Sequence, residues 1–283
     1  MGEVLLKSKG EIGIMVEAEV INPGILAGES EQGIEQLIVW QGPVQLPLSE
    51  FFDVDVNAVG SGSAHPEETS IVIEGDVSRV KHIGHAMLAG TIEIHGSAGM
   101  HVGSEMNGGS ILVKGNAGSW AGMEMKGGLL HIQGDAGDHI GCAYRGNWRG
   151  MSGGKIVIDG NARSQLGGGI TGGEIVVGGS VENFCGIRQG GGTILVKGSA
   201  VRGVGAEMSG GTVAVCGEIE QFTPGFVETG RENNPKLGEN QFEGSFTKFT
   251  GDYAISKNPK GVLYVRDNCI GDNHCNTCNS QGR

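Results

Sequence analysis

The chain has 283 residues, 55 of them glycine, with 38% apolar residues and a formal net charge of −12. Glycine at that level, without a G-X-Y period and with only 7 prolines, excludes collagen. An acidic chain with no stripe of Lys and Arg is a poor fit to nucleic acid or an anionic membrane, because binding phosphate needs clustered cations. No run approaches the roughly 18 apolar residues of a membrane span, and the N-terminus lacks the apolar stretch of a secretory signal. The six cysteines are scattered or crowded at the very end, which points to a reducing compartment rather than a disulfide framework. A cytoplasmic chain is expected.

In chain order, residues 1–69 lack the pattern that dominates the rest and are expected to form an N-terminal cap. VLLKSKGEIGIMVEAEVI has the alternation of two short strands, Pro23-Gly24 turns the chain, Ser30 can cap a short helix through Gln36, and Leu37 to Trp40 reads as a strand. Residues 57–69 read as a flexible join.

Residues 70–230 carry a repeat. Its unit is G/W-x-x-M-x-G-G-x-I/L-x-I/V-x-G, as in GSEMNGGSILVKG from Gly103 and GMEMKGGLLHIQG from Gly122. The closing glycines are Gly75, Gly96, Gly115, Gly134, Gly160, Gly179, Gly198 and Gly217, a step of 19 residues broken once by 21 and once by 26. A unit that short cannot bury a core alone; it must stack on its neighbours. Four and two residues before each closing glycine stands Ile, Leu or Val, as in Ile111 and Val113, and a spacing of two is a strand. A small residue follows two places after the glycine, and a Met column runs through Met87, Met106, Met125, Met151 and Met208, interrupted by Ile170 and Gln189. Glycine belongs at the bends, where a Cβ would block positive φ or close backbone approach. The expected fold is all-β: a right-handed parallel β-helix of about eight coils of ~19 residues, with a non-repeat N-terminal cap and a C-terminal extension.

Where the repeat breaks or faces outward, contact is expected. The 26-residue step inserts seven residues around CAYRGNW. Tyr144, Arg145, Trp148 and Arg149 there are the residue types enriched at interfaces, so the loop reads as a docking feature, with a tolerated insertion as the plain alternative. Between the two inward columns the strands present Val157, Val176, Leu195 and Ala214 in succession, an outward apolar stripe to be covered by the C-terminal segment or by a partner. Beyond Gly217 a turn-rich exit leads to closing strands at Phe246 to Ala254 and Gly261 to Val265. The tail of the 231–283 extension holds Cys269, Cys275 and Cys278 with His274, thiolate and imidazole ligands at partly metal-like spacing, but a cluster normally wants four ligands and the plain reading is a polar terminal tail with no metal site.

Catalytic machinery is not visible. GGGITG from Gly167 matches G-x-G-x-x-G only because two repeat columns coincide, and no strand-turn-helix unit follows it. His82 and His85 have no carboxylate or cysteine cluster at matching spacing and read as surface or satisfied residues; His95 and His131 stand in different coils with no constellation around them.

Together, the repeated unit, the segment VEAEVINPGILAGESEQGIEQLIVWQGPVQLPLSEFFDV, the loop CAYRGNWRGMSGG and the closing FTKFTGDYAISKNPKGVLYVR resemble the C subunit of formylmethanofuran dehydrogenase. The resemblance runs to about Asp267. It implies a β-helical structural subunit, without an active site of its own, in a cytoplasmic complex that reduces CO2 and formylates methanofuran at the first step of methanogenesis. It places the Mo- or W-pterin, the iron-sulfur clusters and a hydrolase-type metal site in partner subunits: a pterin oxidoreductase, an amidohydrolase-like and a ferredoxin-like subunit, with heterodisulfide reductase in a supercomplex. The Cys-bearing tail is outside the recognised pattern. Two rivals share the glycine-rich motif: the equivalent subunit of a methylotroph formyltransferase/hydrolase complex, and the C-terminal domain of the glutamate synthase large subunit, which is fused to amidotransferase and flavin domains absent here.

Overall fold

A computed structural model describes residues 2–58, 65–237 and 240–267, and the fold is all-β apart from two short helices, Pro23–Leu26 and Glu31–Glu35. One sheet of 13 strands runs the length of the molecule. From Gly2–Ser8 it passes through Thr69–Glu74, Thr91–Ile94, Ser110–Val113, Leu129–Ile132, Lys155–Ile158, Glu174–Val177, Thr193–Val196 and Thr212–Val215 to Gly261–Arg266, and every neighbour in that series is parallel. Register follows the repeat without slippage: Ile92 faces Ile111, Ile111 faces Leu130, and Ile175 faces Ile194. Because one face of each strand is buried, a one-residue slip would turn its Ile and Val outward.

A second ladder lies between successive passes through the sheet. Val77, Ala98, Ala117, Ala136, Ala162 and Val181 form parallel bridges in turn, and the line continues as the strands Val181–Asn183, Ala200–Arg202 and Ile219–Gln221. A third row of bonds joins repeats at the glycines: the N–H of Gly103 donates to Ile83 O at 2.9 Å, Gly122 to Val102 O at 2.9 Å, and Gly141 to Ala121 O at 2.9 Å. The Ile, Val, Ala and Met columns close a continuous core between these rows.

The closing glycines and the Gly-Gly corners need glycine for different reasons. Gly96 has an ordinary φ, but a Cβ there would fall on the carbonyl of Gly75 in the preceding repeat. Gly128 has φ +85°, and its Cβ would also lie 2.7 Å from Gly109 O, so geometry and space both exclude a side chain.

The N-terminal segment extends these rows beyond the first repeat. Gly2–Ser8 pairs in parallel with Thr69–Glu74 and antiparallel with Phe52–Ala58, Val16 pairs with Val80, and Ile21 O accepts from Gly84 N. Ser30 caps Glu31–Glu35 through a 3.1 Å bond from Gly33 N, and the strand Ile38–Gln41 follows. Residues 59–64 of the expected join lie outside the described residues; Pro66–Glu68 form a 3₁₀ turn.

At the other end the stretch expected as a turn-rich exit contains a seven-residue strand, Val227–Asn233, bulged between Glu228 and Gly230 and paired with Ser245–Gly251. The bulge leaves Thr229 without a cross-strand partner, while Gly230 stays in register opposite Lys248. Ser245–Gly251 pairs antiparallel with Gly261–Arg266.

This C-terminal unit decides the fate of the outward stripe. Val176, Leu195, Ala214 and Tyr264 pack in one buried cluster with Leu237, Phe242 and Phe246. Leu195 is 0% exposed. Of the two covers expected for the stripe, the C-terminal segment is the one over Val176 and Leu195, so these two are not a partner-facing surface; the chain's own aromatic residues cover them, and Val157 at the end of the stripe stays half-buried. Burial of contiguous apolar surface is the stronger drive, and the segment that supplies it is already tethered.

Candidate docking site at the interrupted repeat

The seven extra residues leave the wall at Gly141 and rejoin it at Met151, whose N–H donates to Gly141 O at 2.9 Å. The loop is tied down along its length. Ala143 N donates to Gly168 O at 3.1 Å and Gly150 N to Gly169 O at 2.8 Å. The carboxylate of Glu124, one repeat earlier, accepts from Tyr144 N at 2.9 Å and from Asn147 Nδ2 at 2.8 Å. Asn147 Oδ1 accepts from the N–H of Trp148 and of Arg149.

Cys142 anchors the base. Its Sγ donates to Gln165 O and accepts from Gly168 N at 3.1 Å. Burial pushes this thiol up to about 12, so it stays protonated at neutral pH and is no nucleophile; the buried Cys185 is likewise pushed up to about 12.

Held this way, the loop exposes Tyr144 and Trp148, 53% and 61% accessible. The Arg149 guanidinium lies over the Trp148 ring, 4.5 Å from its centre, a cation–π contact. Between loop and wall is a groove of about 440 Å³ bordered by Trp120, His139, Tyr144, Arg145, Trp148 and Arg188. A larger groove of about 670 Å³ runs over the small-residue ladder at Ala117, Ala136 and Ala162. Its rim is an internal network: Asn116 Oδ1 accepts from Asp135 N, Asp135 Oδ1 from Asn161 N, and Asn161 Oδ1 from Ser180 N, each polar group serving the next repeat.

The inserted loop stands at the end of a ring column the sequence reading missed. His82, His101, Trp120 and His139 follow one another at 19-residue steps, all with φ between +63° and +67°. Their rings stack: 4.6 Å from His82 to His101, 6.1 Å from His101 to Trp120, and 4.2 Å from Trp120 to His139, with planes within 16° of parallel. Tyr144 meets Trp120 edge-on at 6.4 Å. The shared step is the signal that could have found the column.

The Nδ1 atoms of His82, His101 and His139 are buried without a partner. Burial lowers the pKa of all three, that of His101 to about 4, so the rings are neutral. His82 is thus part of a stack rather than a lone surface residue. His85 meets its ring edge-on at 5.7 Å and bonds Ser104 Oγ through Nδ1 at 2.9 Å. His95 and His131 also have partners: His95 Nε2 is 2.7 Å from Glu93, which Lys114 and His95 hold below the usual carboxylate range, and His131 Nε2 is 2.9 Å from Asp159.

Among the described residues no group of three or more His, Cys, Asp or Glu side chains could hold a metal ion. Cys269, Cys275, Cys278 and His274 lie outside the described residues. No helix of the described residues is long and apolar enough to cross a membrane.

No protein-family model matches the chain. Among curated proteins, it is 72% identical over 265 residues, 94% of this chain and 87% of the relative, to the C subunit of the molybdenum-containing formylmethanofuran dehydrogenase 1 of Methanosarcina barkeri. It is 41% identical over 100 residues to the C subunit of the tungsten-containing formylmethanofuran dehydrogenase 2 of Methanothermobacter wolfeii, covering 35% of this chain and 36% of that one. Among solved structures, a chain of the formyltransferase/hydrolase complex from Methylorubrum extorquens, crystallised with methylofuran, superposes with a TM-score of 0.79 at 30% identity, over 93% of this chain and 99% of the other.

Proposed function

The chain belongs to the family of formylmethanofuran dehydrogenase C subunits, and on that premise we propose that it is the noncatalytic scaffold of such a complex, which reduces CO2 and formylates methanofuran. The observation that carries this reading is the 72% identity over nearly the whole chain to a named member of that family. The solved neighbour is itself a chain of a multi-subunit complex, and the groove beside the loop is bordered by interface residue types, with no nucleophile activated beside it.

The ladders support the finer architecture of a right-handed parallel β-helix over residues 70–230, capped by residues 1–69 and extended by 231–283. Three bonded rows crossed once per ~19 residues are what such winding produces, and the hand follows the rule for parallel crossovers. The pterin, iron-sulfur clusters and hydrolase-type metal are assigned to partner subunits, a reading that rests on the family relationship. The partners are then a pterin oxidoreductase, an amidohydrolase-like and a ferredoxin-like subunit, with heterodisulfide reductase in a larger assembly, all in the cytoplasm. Tyr144, Arg145, Trp148 and Arg149 form a docking surface, with the half-buried Val157 at the end of the covered stripe.

Affinity purification of the tagged chain from its own cells tests this reading. Co-purification with the oxidoreductase subunit, and formylmethanofuran turnover in the complex but not in the isolated chain, is expected. Turnover by the isolated chain would overturn the noncatalytic assignment.

A further inference from the structure

We propose that the loop from Cys142 to Arg149 seats an acidic segment of a partner subunit, whose carboxylates pair with Arg145 and Arg149 while its apolar atoms lie on Tyr144 and Trp148; this rests on the reading of the chain as a member of a multi-subunit complex.

Charge is the first argument. The chain carries a formal net charge of −12, yet the loop brings two arginines and no carboxylate. Glu124, which touches the loop, is engaged by the loop's own N–H groups. Arg188, on the far side of the groove, is ion-paired with Glu207 at 2.8 Å. Arg145 and Arg149 have no ion-pair partner among the described residues, so they are free to take an incoming anion. Their planar guanidinium groups suit bidentate carboxylate pairing.

Preorganisation is the second. Hydrogen bonds to Glu124, Asn147, Gly168 and Gly169 fix the loop before any partner arrives, so little ordering entropy is lost on docking. The exposed Tyr144 and Trp148 supply the aromatic anchors that dominate interface energetics, and the cations beside them set partner charge and approach rate. A nucleic acid would need a longer basic track than two arginines on an acidic body.

The test uses the tagged full-length chain in its complex. The double variant R145E/R149E is compared with R145Q/R149Q, W148A and wild type for recovery of partner subunits across a salt series. Circular dichroism and melting of each isolated chain check that the fold is kept. Charge reversal is expected to lower partner recovery by at least about tenfold, with neutralisation intermediate and wild-type recovery falling as salt rises. Equal recovery from R145E/R149E and wild type overturns the proposal. If only W148A matters, the loop docks but its partner is not acidic, which overturns it too. If the isolated chain dimerises and R145E/R149E makes it monomeric, the occupant is a second copy, again against the proposal. Loss of every partner from the wild-type chain would instead refute membership in the complex.

Discussion

The imidazole of His101 lies parallel to that of His82, centroids 4.6 Å apart and planes 5° from parallel. Both rings carry a buried Nδ1 with no partner, so protonation would place an unpaired N–H and a second cation inside the stack. Burial is the main cause of the low pKa of His101, about 4, with His82 and Lys81 adding repulsion and Glu17 opposing it. The folded value lies below the ordinary 6.5, so the unfolded chain binds more protons between those limits. The stabilisation is present above about pH 6.5 and lost as pH falls through about 4. Thermal melts from pH 7 to 4 are expected to show a steeper loss for wild type than for His101→Phe. The difference should be on the order of 1 kcal/mol after discounting solvent screening of a half-exposed ring. Parallel curves would show that the stack does not titrate in this range.

Glu124 should control the order of the inserted loop. Glu124→Ala removes the acceptor for Tyr144 N and Asn147 Nδ2, a local loss of about 1–3 kcal/mol. Trypsin is expected to cut at Arg145 or Arg149 about tenfold faster in this variant. Glu124→Gln keeps an oxygen acceptor in place and should restore most of the protection. Identical cleavage of all three proteins would mean the loop is held by its backbone bonds alone.

The inward columns were legible in the sequence because every repeat rewrites them: Ile111, Leu130 and Ile156 occupy one position of one motif and all lie in the core. The ring column was not, because its step of 19 is kept by His82, His101, Trp120 and His139 while residue type changes, and type is what pattern reading follows. Nor could the sequence choose what covers Leu195. That depends on Phe242 and Phe246 returning across the sheet from 47 and 51 residues further on, a long-range contact with no periodic signature. The strand Val227–Asn233 was hidden by Gly230 and the Pro-bearing stretches on either side.

Gly96, stacked on the preceding repeat, should differ sharply in tolerance from Gly42 in an open turn. Gly96→Ala drives a Cβ onto the Gly75 carbonyl, and backbone on both sides cannot move without breaking the ladder. A loss of several kcal/mol or failure to fold is expected. Gly42, with φ +59° but nothing within 4 Å of its Cβ position, should cost only about 1 kcal/mol as alanine. Denaturant titration of both variants checks this; similar midpoints would show that the repeats relax around an added methyl.

Gln189 stands in the methionine column, fully buried, with Nε2 donating to Gly191 O and Gly192 O while Oε1 has no partner. A buried unsatisfied oxygen costs about 1–3 kcal/mol, and methionine has a similar length and shape without it. Gln189→Met is therefore expected to be neutral or to stabilise by up to about 1 kcal/mol, whereas Gln189→Ala, which leaves a cavity, should destabilise by about 2 kcal/mol. A destabilised Gln189→Met would mean the amide's bonds to the corner carbonyls outweigh its stranded oxygen.

The covered stripe turns an apparent partner surface into a question of chain integrity. Leu195 and Phe246 are both 0% exposed and belong to one cluster, so an aspartate at Leu195 buries an unpaired charge rather than weakening a contact with another protein. Leu195→Asp is expected to unfold the C-terminal end, and Phe246→Ala to cost about 3–5 kcal/mol. Both should raise hydrogen exchange first in Val227–Asn233 and Ser245–Gly251, which hang from the sheet at its last parallel pair, while Thr91–Ile94 toward the opposite end keeps its protection. Val157→Asp, at the half-buried end of the stripe, should leave the melting temperature nearly unchanged. If Leu195→Asp instead melted like wild type and lost only its partners, the C-terminal strands would not cover this face in the assembled complex.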